Sequence, residues 1–291
     1  MEYLLHLLIL IGIYTILSQS LSLSVGYGGM LSLAHAGFYG IGAYTTALLS
    51  VNYNLPYMVT LPISMLLSGL LAFAVSAIAM RTVDSYFIIC TLGIQIIFFT
   101  VLYNWVPITG GGDGIPGIPS ISFFGYAVES RLSFLIMVMI IAALVFIFLK
   151  KLTTSSFGFT LRALSEDEIF AQSLGKNVHL TKATAFALSA MIAAISGTLY
   201  AHYISFIDPA SFTINESIFI LSIVIIAGTR NLWGCLIASA ILVLLPEALR
   251  FIGMPSGIAA NIRQIIYGGM LIVMMFINGK GIALKVSKKY V

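Results

Sequence analysis

The chain has 291 residues, of which 60% are hydrophobic and only 8% charged, and its mean hydropathy is +1.07. A water-soluble domain carries roughly a quarter charged residues, so that class is excluded and lipid must be the solvent for most of the surface. The net charge of +4 does not indicate nucleic acid, because the basic residues lie between apolar segments or at their ends, where membrane orientation places them.

A bilayer crossing takes about 20 apolar residues, and the apolar runs supply eight or nine of them in one transmembrane domain, 1–291, with no room for a catalytic domain. The expected spans are 3–20, 34–51, 57–80, 85–104, 131–149, 182–201, 216–230, 234–249 and 263–278. The apolar start, Met1 to Leu17, lacks the basic region and small-residue cleavage site of a signal peptide and is expected to remain as the first helix.

Leu21 to Gly42 is too polar for a lipid-facing helix and too apolar for a free loop, with Gly26, Gly28, Gly29, Gly37, Gly40 and Gly42 beside Ser22, Ser24, Ser32 and His35. Irregular backbone at membrane depth survives only where protein or a water-filled cavity surrounds it. The segment is therefore a candidate re-entrant or broken element near a permeation path, with Gly28, Gly29, Ser32, His35 and Gly37 as its path-lining residues. The alternative is close helix packing through small residues. His35 reads as a hydrogen-bonded packing histidine, since no other ligand-type side chain stands at metal-site spacing.

Val106 to Ser120 carries glycine at 110, 111, 112, 114 and 117 and proline at 107, 116 and 119, so no helix crosses the membrane there. It lacks the terminal G-K-[ST] of a phosphate loop. It reads as the shaped part of an external loop, 105–130, centred on Gly112, Asp113 and Gly114. Cys90 and Cys235 both lie in apolar runs and read as packing residues. Gly228, Arg230, Asn231 and Gly234 mark a turn between two short apolar segments. Asn215 and Glu216 stand at the start of the seventh span, where they either cap it or meet an external partner.

The polar stretch 150–182 is the main interruption of the apolar pattern. Ser165 with Glu168 forms a capping-box pattern, Glu166, Asp167 and Glu168 suit a helix N-terminus, and Gly175 followed by Lys176 suits its end. One short helix outside the membrane is predicted, offering Ile169, Phe170, Ala171 and Leu174 to a partner. With nine spans and this loop inside, eleven Lys and Arg fall inside and three outside, which the positive-inside rule favours. The N-terminus is then outside, and the C-terminus, with its basic tail Lys280 to Lys289, inside.

The loop resembles the coupling-helix motif of ABC importer permeases at Glu168, Ala171 and Gly175, with Phe170 where that motif usually has alanine. Gly28 to Tyr44, Thr109 to Pro119, Gly228 to Gly234 and Leu244 to Glu247 are similar to blocks of the branched-chain amino acid permease family, M-type subunit. The resemblance implies an all-α polytopic bundle in a prokaryotic cytoplasmic membrane, working with a homologous H-type permease. Two cytoplasmic ATPases and an extracytoplasmic binding protein delivering leucine, isoleucine or valine complete the implied machine. ATP and Mg²⁺ would be used by the ATPases, with no cofactor on this chain. On that basis Arg162, Glu166, Asp167, Glu168 and Lys176 are the expected polar contacts to an ATPase, around a buried centre of Phe170, Ala171 and Leu174. Another amino acid or a sugar is an alternative cargo. A secondary transporter is disfavoured because few charges fall in mid-span, and Ser32 with His35 lacks the elbow of a hydrolase.

Overall fold

A computed structural model describes residues 2–80, 84–123, 126–128, 130–173, 175–251, 265, 266, 268, 269, 272 and 273. Arg81, Leu174, the basic tail and most of the expected ninth span, 263–278, lie outside the described residues.

Each of the first eight expected spans coincides with a helix: α1 (Glu2–Ser22), α2 (His35–Tyr53), α3 (Tyr57–Ala79), α4 (Asp84–Asn104), then, after the short α5 (Val106–Thr109), α6 (Arg131–Thr153). Two loop helices, α7 (Ser156–Glu166) and α8 (Glu168–Ser173), precede α9 (Val178–Ile204), α10 (Ile214–Ala227) and α11 (Leu232–Phe251). Among the described residues five helices are long and apolar enough to cross a membrane, namely α1 with the turn that continues it to Tyr27, α3, α4 from Tyr86, α6 and α9. The chain is an all-α multi-pass membrane protein.

The α3 helix is sorted largely by size of side chain rather than by polarity. Beyond Tyr57 at its start, the buried residues along α3 are small, Thr60, Ser64, Ser68, Gly69, Ala72, Ser76 and Ala79, while Leu66, Leu67, Leu70 and Phe73 are exposed. Lipid is as apolar as leucine, so burying large apolar groups gains little and close backbone approach decides which face turns inward. Ser68 completes that contact by donating to the Ala190 carbonyl of α9 at 3.0 Å. The α6 helix does not repeat the division: it exposes Ile136, Met139, Ile140 and Leu144 but also buries Phe134, Val138, Val145 and Leu149.

The centre of the bundle is the pair α2 and α9, with α3 against both. Both glycine expectations for this region are met at different residues. Gly42 lies on Ala194, where an added Cβ would stand 2.5 Å from the Ala194 Cα, and one on Gly197 would strike the Tyr39 carbonyl. Gly37 and Gly40 likewise receive the Phe98 and Phe212 rings. Cys90 and Cys235 are both free thiols, the latter buried.

The glycine-rich loop is folded onto the end of α9. Strand β1 (Ile115–Pro116) pairs antiparallel with β4 (Phe206–Ile207), and β2 (Ser122–Phe123) pairs with β3 (Tyr126–Ala127). Ile118 N donates to Ser205 O at 3.2 Å. Gly114, at φ 71°, packs on the Ile207 carbonyl, whereas Gly112 and Asp113 are exposed.

Candidate functional site

The first helix does not simply end. It continues as a π-helical turn, Leu23–Tyr27, after which the chain doubles back without helical structure until His35. Met30 N returns to Ser24 O at 3.0 Å, and Ser24 Oγ donates to Met30 O at 3.2 Å. The His35 Nε2 lies 2.7 Å from Ser20 Oγ. Ser20 precedes Tyr27 by seven residues, so α2 begins roughly 10 Å back along α1, at 1.5 Å rise per residue. The expected broken element is therefore present.

A helix that starts inside a bundle must find partners for its first N–H groups. Side chains from neighbouring helices supply them. Leu33 N donates to Thr91 Oγ1 at 3.1 Å, Ala36 N to Ser217 Oγ at 3.0 Å and Gly37 N to Gln95 Oε1 at 2.7 Å. Ala34 N is bound by Ser32 Oγ at 3.2 Å. The Gln95 amide also donates to Phe212 O at 2.7 Å, joining α4, α2 and the 3₁₀ turn Pro209–Phe212. Ser32 and His35 thus serve different partners and form no nucleophile and base pair. Of Gly28, Gly29, Ser32, His35 and Gly37, only Gly29 is exposed.

At the end of α1 three segments far apart in sequence converge on Arg230. Its Nε donates to Gly26 O at 2.9 Å, one terminal nitrogen to Glu166 Oε1 at 3.0 Å and the other to Ser165 Oγ at 2.9 Å. Its own carbonyl accepts from Tyr27 OH at 3.0 Å, and Ser22 Oγ donates to Thr229 O at 2.9 Å. The turn Gly228 to Asn231 lies so close to Gly26 that any Cβ there would run into the Thr229 carbonyl. Planar guanidinium geometry suits this work, because a fork of fixed donors can hold a backbone carbonyl, a hydroxyl and a carboxylate at once.

Arg162 closes the same junction from the loop side. Its guanidinium carbon stands 4.9 Å from the Tyr27 ring centroid, within cation–π range, and its Nη2 donates to Thr153 O at 3.1 Å. Arg162 is therefore turned toward its own bundle, not outward as a partner contact. Gly29 faces Ser165, with an added Cβ only 3.1 Å from the Ser165 Cβ.

The loop itself departs from the expected single helix. Ser165 Oγ donates back to Arg162 O at 2.7 Å, so the Ser165 and Glu168 capping box does not form. The chain breaks at Asp167, whose Oδ1 accepts Phe170 N at 2.9 Å and caps α8 instead. A carboxylate is a strong N-cap, and here it outcompetes a hydroxyl already engaged by Arg162 and Arg230. The end is as predicted: Gly175 has φ 77°, with Gly175 N on Gln172 O and Lys176 N on Ala171 O, the two bonds of a Schellman motif. Glu168 forms an ion pair with Lys182 of α9.

Ala171 is not offered to a partner; it is buried with Leu164 and Val178 of the same chain. Phe170 and Ile169 remain 62% and 78% exposed, an uncovered apolar pair beside the exposed Glu166, Asp167, Glu168 and Lys176. Leu174 lies outside the described residues. Glu216 neither caps α10, where Thr213 is the N-cap residue, nor points outward, since it accepts Tyr14 OH from α1 at 2.7 Å. Asn215 is exposed. Sequence reasoning placed Arg230 in its turn but missed its partners, and it missed Gln95 and Tyr27. A lone arginine between two apolar segments, and a glutamine inside one, were the available signals.

A multi-pass α-helical bundle with a helix broken inside it, tied to short helices between the spans, is an architecture that membrane permeases use. The sequence matches, over residues 3–275, the family described as branched-chain amino acid transport system / permease component, and the chain belongs to that family. It is 33% identical, over 93% of its length and 67% of the relative's, to the high-affinity branched-chain amino acid transport system permease protein LivM of Escherichia coli. The LivM of Salmonella typhimurium matches with the same identity and coverage. A probable LivM of Methanocaldococcus jannaschii is 26% identical over 77% of this chain and 75% of its own. No solved structure matches significantly.

Proposed function

We propose that this chain is the M-type permease subunit of an ATP-driven importer that moves leucine, isoleucine and valine across a prokaryotic cytoplasmic membrane by alternating access. It pairs with a homologous H-type permease, two ATPases dock on loop 150–182, and an extracytoplasmic binding protein delivers the cargo. ATP and Mg²⁺ act on the ATPases; this chain, one permease domain from 1 to 291, carries no cofactor. The N-terminus faces outside and the C-terminus inside.

The observation that carries this reading is the Arg230 junction. An ATPase gripping Ile169, Phe170 and the acids around them would displace α7 and α8. Arg230 and Arg162 are the contacts through which that displacement reaches the broken helix, because they bond α7 to Gly26 and Tyr27. Helix breaks and turns are the places where backbone can change its partners, so motion entering there alters access to the interior around Ser32, His35 and Gly37 instead of bending intact spans.

Purification of the native complex in mild detergent, with its chains identified by mass spectrometry and leucine uptake measured after reconstitution, tests the reading. A second permease, ATPases and ATP-dependent leucine uptake are expected. A lone chain or homodimer that transports without ATP would overturn it. Orientation is tested by Ser120→Cys in a background lacking Cys90 and Cys235: Ser120 is exposed on the loop and should label from outside the cell, whereas labelling only after permeabilisation contradicts the assignment.

A further inference from the structure

Glu216 of α10 puts a carboxylate at membrane depth. It accepts Tyr14 OH at 2.7 Å, and Tyr14 stands near the midpoint of the span Glu2–Tyr27. At 1.5 Å rise per residue that is roughly 18 Å from either end of the span, so the bond lies well inside a hydrocarbon layer about 30 Å thick. Among the described residues Glu2, Glu168 and Glu166 form ion pairs, with Arg131, Lys182 and Arg230. Glu216 forms none there.

Nor is the carboxylate enclosed by its own bundle. Glu216, Tyr14 and Phe219 are half-buried, and Asn215 and Ile218 beside them are exposed. On α3, by contrast, every exposed residue from Met58 to Ile78 is apolar, which is the surface that lipid requires. Ionisable groups inside a membrane face the bundle interior or a water-filled cavity and take a partner. The uncovered side of Glu216 is therefore turned away from lipid, and the partner it calls for is a cation.

Its surroundings narrow the choice. Phe219, three residues on along α10 and so on the same face, meets the Tyr14 ring edge-on with 5.1 Å between centroids. Aromatic rings beside a carboxylate suit an organic cation, whereas one carboxylate offers too few oxygens for a metal ion. The next residue, Ser217, accepts Ala36 N at the start of α2, which sets Glu216 against the broken element.

We infer that Glu216 is the group on this chain that holds the ammonium of the amino acid cargo as it crosses the membrane, with the Tyr14 and Phe219 rings beside it. The inference rests on the amino acid importer reading and adds to it a contact between this chain and the cargo.

The test is equilibrium binding of radiolabelled leucine to the purified complex without its binding protein, competed by unlabelled leucine, by leucinol, which keeps the ammonium, and by N-acetylleucine, which lacks it. Wild type should prefer both leucine and leucinol to N-acetylleucine by at least tenfold. Glu216→Gln keeps an acceptor for Tyr14 OH and removes only the charge; it should abolish that preference and lower leucine uptake at least tenfold in a complex that still hydrolyses ATP. Tyr14→Phe removes the hydrogen bond but keeps the carboxylate and the ring, and it should cost less than Glu216→Gln. A carboxylate that only pins α10 to α1 predicts the reverse order. That reverse order, no preference or no binding in wild type, or loss of the second permease from purified Glu216→Gln, which would make Glu216 half of an ion pair between chains, each overturn the site. The wild-type arm does not depend on any variant folding. If the complex imports leucine while these results fail, only the site is wrong; if it imports no amino acid at all, the importer reading falls first.

Discussion

The two ends of this bundle are held together by different chemistry. At the end where α1 breaks, Gly26, Ser165, Glu166 and the 228–231 turn meet through one guanidinium. At the other end, the 115–118 stretch and 205–207 are joined by backbone pairing, Ile115 with Ile207 and Pro116 with Phe206, and by Ile118 N on Ser205 O. Backbone ladders form or break as a unit and change little with a single side chain. A side-chain fork with Glu166 59% exposed is worth about 0–1 kcal/mol for its ion pair, plus a further increment for the more buried Gly26 bond. Such a contact can release and re-form within a transport cycle, and it sits on the loop that is the proposed ATPase footing. The rigid end would then keep its shape while the arginine end moves.

The comparison can be broken hardest at the pair that both ends share, α2 with α9. Gly197→Val places two methyl groups against the Tyr39 carbonyl, which cannot yield because it belongs to a helix backbone. Overpacking a well-filled site costs typically 1–3 kcal/mol and occasionally more. We expect the upper end of that range, read as loss of a monodisperse peak in detergent and of surface yield. Gln95→Leu comes next. It removes one of the two acceptors of Gly37 N, which also donates to Ala34 O at 3.1 Å, and the donor to Phe212 O; a buried carbonyl left without that donor costs about 1–3 kcal/mol. Thermal unfolding in detergent should start earlier by several degrees.

Gly175→Val is a finer cut. Nothing lies within 4 Å of a Cβ at this position, so the whole effect is the left-handed backbone at φ 77°, which costs an L-residue roughly 1–2 kcal/mol. Melting of the loop end, weaker ATPase association and lower uptake are expected with membrane insertion intact. Normal co-purification and uptake would detach Gly175 from the coupling role.

These effects also show what was legible beforehand. Span positions were, because an apolar run of about 20 residues has few alternatives, and α3 starts and α6 starts at the expected Tyr57 and Arg131. The break after Tyr27 was legible as a glycine and serine excess at membrane depth. Local chemistry was less secure. Ser165 and Asp167 are both competent caps, and the choice fell to Asp167 because Ser165 was already held by Arg162 and by Arg230, 65 positions away. Ala171 looked like an open contact because its cover, Leu164 and Val178, lies on either side of the helix break. Arg230 binding Gly26 spans 204 positions, and neither periodicity nor motif spacing carries information over that distance.

The central claim is that Arg230 transmits the movement of the loop to the broken helix. Leucine uptake and ATP hydrolysis should be measured together in proteoliposomes of the whole complex, for wild type, Arg230→Lys and Arg230→Gln. The account predicts an intact complex that hydrolyses ATP in every case, with uptake per ATP falling at least tenfold in Arg230→Gln and less in Arg230→Lys, which keeps the charge but not the fork. An unchanged uptake-to-ATP ratio in Arg230→Gln would contradict it.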